Sequence, residues 1–281
     1  MRKRALSWPS LPGAILAWLL LTQSAAARPC TPIEGATALV SDRSVQYLIV
    51  GDYHGTTEIP AFFADLICAA LEEGRSVNAV LEWPATANPA IGSYLASAGS
   101  PQDRRALVSA LGASTDGRMS TAMLDLMDGL RGFRAEGRTI RVSAIQPSEI
   151  RAGGHEAAMA TLLQAASQAH PDDLNLVLVG NVHAMKSPAP QMPDLKPMAA
   201  LLPAARTITI NTVGYFGQAW NCRGMPGGEA PVCQAWPLRA GEPGPRRINL
   251  TPDDSLFDGR YSVGSPFTAS GPEIAEIPAD R

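Results

Sequence analysis

The sequence predicts an α/β fold: a mainly parallel central sheet flanked by helices, followed by a loop-rich C-terminal extension. Three observations carry this reading. Short apolar runs that end in Gly or Pro recur along the chain, the pattern of buried strands closed by tight turns. Between them lie longer stretches whose apolar residues fall three and four apart, the spacing of helices that cover one face of a sheet. That alternation implies parallel pairing with right-handed crossovers. A hydrophobic content of 46% against 17% charged residues leaves enough apolar surface for a sizeable core.

In chain order, residues 45–50 read as strand one, and 58–73 as a helix with Ile59, Phe62, Phe63, Leu66, Ile67 and Ala70 on one stripe. Gly74 is placed to cap that helix. Residues 77–83 form strand two, stopped by Pro84. Residues 88–118 read as short helices broken by Gly and Pro, 119–134 as a clearer helix, and 139–145 as strand three. An Ala-rich helix over 156–168, strand four over 174–179 and strand five over 206–213 follow; the Pro-containing segment 184–203 has room for one short helix at most. Beyond Gly217 the periodicity fades, so the expected organisation is residues 1–27, an α/β domain over 28–220 and a disulfide-pinned extension over 221–281.

The first segment has the features of a secretory signal peptide. Arg2, Lys3 and Arg4 precede an apolar stretch over 11–21, and Ser24-Ala25-Ala26-Ala27 offers small residues for cleavage after Ala27. The apolar stretch is short for a membrane span. Cleavage would remove three of the 23 basic side chains and none of the 26 acidic ones, leaving a net charge of −6. That balance argues against nucleic acid or an anionic membrane as partner and leaves a small-molecule or peptide substrate. The four cysteines of an exported chain favour disulfides, with three pairings open. Cys222–Cys233 closes a short Gly/Pro-rich loop, and Cys30 would then join Cys68.

The candidate chemistry lies at strand ends. Gly51-Asp52-Tyr53-His54-Gly55 and Gly180-Asn181-Val182-His183 each place a His three residues after a Gly that closes an apolar run. Open α/β sheets bind their ligands at this carboxyl edge. Imidazole is a common metal ligand and a general base suited to neutral pH. Glu82 is a carboxylate on an otherwise apolar strand, costly unless paired or coordinated. Asp52 could orient His54 or join His54, Glu82 and His183 around a metal. Arg118 could hold an oxyanion or a carboxylate, and the Asn181 amide is a second oxyanion donor. Glu58, His155 and Glu156 stand where charge at a helix start explains them, and His170 reads as structural. No Gly-x-Ser-x-Gly elbow, phosphate loop, Cys-x-x-Cys or dinucleotide fingerprint occurs, which disfavours serine hydrolases and nucleotide enzymes.

The motifs Gly51-Asp52-Tyr53-His54-Gly55-Thr56-Thr57-Glu58, Leu81-Glu82-Trp83-Pro84 and Gly180-Asn181-Val182-His183-Ala184, in this order, resemble the erythromycin esterase/ChaN/Tiki/TraB superfamily over roughly residues 45–215. The resemblance implies an α/β domain with a shallow site built from His54, Glu82 and His183. Tiki-like members use such residues to bind a divalent transition metal, and Mn, Co or Zn is then the expected ion. Esterase-like members activate water on a lactone through His and Glu. ChaN-like members bind haem, for which Tyr53 beside His54 is a candidate ligand. The chain departs from the esterase type in several places. Asp52 is one carbon shorter than the Glu found there and one residue nearer the His, and His155 and Glu156 replace Arg and Asp. The expectation is an exported hydrolase acting on an ester, lactone or peptide, with a haem- or iron-binding envelope protein as the alternative.

Overall fold

The computed structural model describes residues 29–112, 115–149, 154–224, 230–251 and 254–273. The expected signal peptide therefore lies outside the described residues. A seven-stranded sheet runs through the middle in the order β3-β2-β4-β1-β5-β9-β8. Its strands are β1 (Tyr47–Asp52), β2 (Val77–Pro84), β3 (Ile140–Gln146), β4 (Leu174–Gly180), β5 (Thr207–Thr212), β8 (Arg247–Leu250) and β9 (Gly259–Ser262). Every pairing is parallel except that of β8 with β9. A separate hairpin, β6 (Gln218–Arg223) with β7 (Val232–Pro237), stands outside the main sheet.

The alternation of side chains along each strand sorts the core into two layers. Leu48, Val50, Ala79, Leu81, Leu176 and Leu178 point to one face, where α2 (Glu58–Glu72) and α5 (Thr121–Ala135) cover them together with α1 (Ala36–Ser41), α3 (Asn88–Ala96) and α4 (Pro101–Leu111). Tyr47, Ile49, Val80, Val177 and Val179 point to the other face, under α6 (Gly154–Ala169) and the segment carrying Met185 and Met198. The apolar stripe of α2 is wholly buried, and each Phe or Ile on it contributes roughly 1.5–3 kcal/mol of transfer energy. Among the described residues, no helix is long and apolar enough to cross a membrane.

The structure moves several expected boundaries for identifiable reasons. Gly51 is not a turn: it stays in β1, paired with Val179 of β4 and Asn211 of β5. A side chain there would come within 2.6 Å of Asn211 Oδ1, so this Gly serves close packing. Glu82 likewise lies inside β2, two residues before its end. Helix α5 begins at Thr121 because Ser120 accepts the Met123 N–H and caps it, while Gly117–Met119 is a single 3₁₀ turn. The expected division at residue 220 falls inside β6, and β8 and β9 complete the main sheet. The C-terminal segment is therefore part of the α/β fold and not an appendage; its strands are too short to give a period.

Both expected disulfides form, Cys30–Cys68 and Cys222–Cys233. The first ties the lead-in to α2 across 38 residues, and closing a loop of that size is worth about 3–4 kcal/mol in the chain-entropy account. The double variant Cys30→Ser/Cys68→Ser is expected to lower the thermal midpoint by roughly 10 °C in a calorimetric scan. An unchanged midpoint would show that the lead-in carries no load.

Candidate active site

Parallel pairing of β2, β4 and β1 side by side brings the three motifs to one stretch of the carboxyl edge. Asp52 ends β1 and sits opposite Gly180, the last residue of β4. His54 follows two residues later, and its Nδ1–H donates to Asp52 Oδ2 at 2.7 Å. The turn beyond it needs Gly55, which has φ +78°; a Cβ there would lie 1.9 Å from the Trp220 carbonyl oxygen. Glu82 Oε2 accepts the Gly180 N–H at 2.7 Å and faces His54 Nε2 at 3.4 Å. Glu82 Oε1 faces Arg118 Nη1 at 3.3 Å and His183 Nε2 at 3.7 Å. A Cβ on Gly180 would come within 3.1 Å of His54 Nε2 and 3.4 Å of Glu82 Oε2, so this Gly leaves the imidazole and the carboxylate room to meet.

His183 sits in the tight turn after β4, where its own N–H bonds to the Gly180 carbonyl. Its Nδ1–H donates to Glu156 Oε1 at 2.7 Å, and Glu156 Oε2 accepts the Met198 N–H at 2.7 Å. Glu156 is buried, so this carboxylate does more than favour a helix start, as the sequence suggested. Nothing in its local spacing announces a partner 27 residues away. Arg118 is held from the other side by Asp116, whose Oδ2 accepts from its Nη2 at 2.6 Å and its Nε at 3.0 Å, while Trp83 donates to the Arg118 carbonyl. The result is an alternating chain of Asp52, His54, Glu82, His183 and Glu156, with Arg118 beside its centre.

The electrostatics follow from that alternation. Burial works against a charged His54, but the adjoining Asp52 and Glu82 carboxylates more than offset it and raise its pKa to about 10. Burial also opposes ionisation of Glu82, yet its hydrogen bond from His54, both imidazoles and the Gly180 N–H hold it well below the ordinary carboxylate range. Burial opposes a charged His183 as well, and Glu156 and Glu82 outweigh that too, so its pKa rises. Arg118 is held above its usual value chiefly by Asp116.

The structure thus brings together Asp52, His54, Glu82, His183 and Arg118. Tyr53 lies beside them with its ring packed at a tilt of 39° against Tyr215, 4.6 Å between centroids. The Asn181 side-chain amide donates to Tyr215 Oη at 2.9 Å. His155 packs near His183, 5.7 Å between ring centroids. His170 follows the C-terminal end of α6, at the opposite edge of the sheet, as a structural reading requires. For a metal, the donor set does not fit as placed. Among the described residues, the only His, Cys, Asp or Glu trio whose ligand atoms gather within 4.8 Å of one another is Cys30, Cys68 and Glu72, which includes a disulfide.

Two cavities flank the chain of charges. One, of about 330 Å³, is lined by Tyr53, His54, Asn181, Val182, His183 and Asn221. The other, of about 250 Å³, lies against Glu82, Trp83, Leu111, Arg118 and Met119. The first is at the small end of ligand pockets.

No protein-family model and no curated protein matches the sequence. Solved structures do match in shape. A mutant of erythromycin esterase EreC in its open conformation has a TM-score of 0.59 at 12% identity, covering 84% of this chain and 88% of that one. A succinoglycan biosynthesis protein has 0.54 at 11% identity, over 77% and 79% of the two chains. A Bacillus cereus protein has 0.51 at 11% identity, over 69% and 72%. At such identities the likeness is one of fold, the α/β fold that the erythromycin esterase shares with this chain.

Proposed function

We propose that the chain is an exported hydrolase that activates water against an ester, lactone or peptide carbonyl, with esters and lactones first. The observation that carries this reading is the Asp52–His54 pair beside a cavity, with Nε2 facing a carboxylate held in place by a backbone N–H. The fold shared with an erythromycin esterase supports it. Export rests on the leader-like first 27 residues, and two disulfides agree with an oxidising compartment.

In this mechanism the neutral form of His54 takes the proton of a water at Nε2 while Asp52 keeps its Nδ1–H in place. The hydroxide forms its bond to the carbonyl carbon. Arg118 and the His183 imidazolium lie on the Oε1 side of Glu82, where they can donate to the developing oxyanion. The imidazolium of His54 then returns its proton to the leaving oxygen as the acyl bond breaks. Glu82 holds these cations around one point and sets how readily His54 gives up its proton.

A divalent ion would need His54, Glu82 and His183 to draw together, so hydrolysis is expected to survive chelation; loss of activity restored by Mn, Co or Zn would instead favour metal assistance. A haem site would use Tyr53, whose ring packs against Tyr215, and His54, whose Nδ1 is committed to Asp52. Addition of haem is expected to leave its Soret band unshifted.

His54→Ala is expected to lower kcat on ester substrates by about 10²–10⁴-fold. Full activity in this variant would sink the proposal. Because the free enzyme holds His54 near 10, kcat/KM should rise with pH from neutrality toward about 10. Glu82→Gln removes one of the charges that raises it, so the same rise should begin at lower pH.

Stability has the opposite profile. The raised His54 contributes stability fully present below its ordinary 6.5 and lost as pH climbs toward about 10. The lowered Glu82 contributes stability present above its ordinary 4.5 and lost below it. Urea unfolding should therefore show the largest gap between wild type and His54→Ala between pH 4.5 and 6.5. A gap that widens above pH 8 would contradict the assignment.

A further inference from the structure

The β6–β7 hairpin belongs to no layer of the fold, yet it is fixed against the site with unusual closeness. Trp220 is its anchor. The Trp220 N–H donates to the Gly55 carbonyl at 2.9 Å, and its indole N–H donates to the Thr115 carbonyl at 2.9 Å. The Trp220 carbonyl lies over a paired notch: a Cβ on Gly117 would come within 2.3 Å of Gly55 Cα and 2.7 Å of the Trp220 oxygen. The indole ring lies over Gly271, where an added Cβ would sit 3.1 Å away. One residue of the hairpin thus holds together the turn after His54, the turn before Arg118 and the C-terminal segment.

Strand alternation decides what the next residue does. Trp220 and Cys222 both face Thr115, the sulfur at 3.7 Å from its carbonyl oxygen. Asn221 must then project to the other face, and there it lines the cavity that also holds His54, Asn181 and His183. Its position is braced three ways. Its carbonyl accepts the Trp236 indole N–H at 2.9 Å, its Oδ1 accepts from Arg223 Nε at 3.4 Å, and the neighbouring Cys222–Cys233 disulfide locks the register. Its Nδ2 has no hydrogen-bond partner among the described residues.

We infer that the hairpin is the specificity wall of the site and that Asn221 recognises a hydroxyl or carbonyl oxygen on the alcohol half of the substrate. This rests on the hydrolase reading. His54 must protonate the leaving oxygen, so the alcohol half extends into the cavity that His54 lines, where Asn221 offers its free N–H. The acid half then lies on the side of Glu82, Trp83, Arg118 and Met119. The substrate class is an ester or lactone whose alcohol half carries a further oxygen within reach of Asn221.

Two probes share one acid and differ only in the alcohol: propyl butyrate and 2,3-dihydroxypropyl butyrate. Wild type should favour the dihydroxypropyl ester in kcat/KM by about fivefold, the worth of one ordinary hydrogen bond. Asn221→Leu should bring that ratio to about one, through a higher KM for the dihydroxypropyl ester, and Asn221→Gln should recover part of it. Thiol titration confirms that the hairpin disulfide persists in each variant, and Asn221→Ser stands in should the Leu variant fail to fold. A wild-type ratio near one, or a ratio kept in Asn221→Leu, overturns this inference and leaves the hydrolase reading intact. Absence of turnover of both esters by wild type, or turnover undiminished in His54→Ala, overturns the hydrolase reading and this inference with it.

Discussion

A single buried carboxylate governs the arrangement of the site. Glu82 lies inside an apolar strand, where an unpaired charge would be costly by several kcal/mol. It is tolerated because four groups converge on it: two imidazoles, a guanidinium and the Gly180 N–H. Each of these is oriented from behind by another partner, Asp52, Glu156 or Asp116, or by the backbone of β4. Removing the carboxylate would leave three cationic or proton-bearing groups facing one another with nothing between them. The carboxylate is therefore the reason the site has one geometry, and the two His motifs depend on it more than on each other.

The backbone makes this convergence possible through places where side chains are missing. Gly51, inside β1, and Gly180, at the end of the adjacent β4, each keep clear a space that another residue fills: Asn211 in the first case, His54 with Glu82 in the second. Gly55 and Gly117 touch under the hairpin carbonyl. At these four positions a methyl group would displace a functional side chain or the wall opposite it. The sheet supplies rigid placement, since β1 and β4 hold Asp52 and Gly180 opposite each other through backbone pairing.

Much of this was legible from the sequence, and what was not has physical causes. The strand-end His, the Glu in strand two and the apolar stripes of α2 and α5 follow local periods of two and 3.6, which a sequence displays directly. Arg118 is legible as a holder of an anion, and its clamp, Asp116, lies only two residues away. Glu156 was assigned to the helix start because its partners, His183 and Met198, are remote in the chain. Asn221 went unremarked, since a four- to six-residue strand in a Gly- and Pro-rich stretch has no detectable period. The same shortness hid β8 and β9. Long-range pairing, absent from any local window, is the common reason.

The late strands have a consequence for how the chain can be cut or assembled. Because β9 pairs with β5, and β8 with β9, the sheet gains its outer margin only from residues beyond 246. A product shortened near residue 220, where composition alone suggests a convenient boundary, would present β5 with an open ladder of donors and acceptors, a template for pairing with a second molecule. Such a fragment would self-associate along that margin, and the full chain is protected from this by its own final segment.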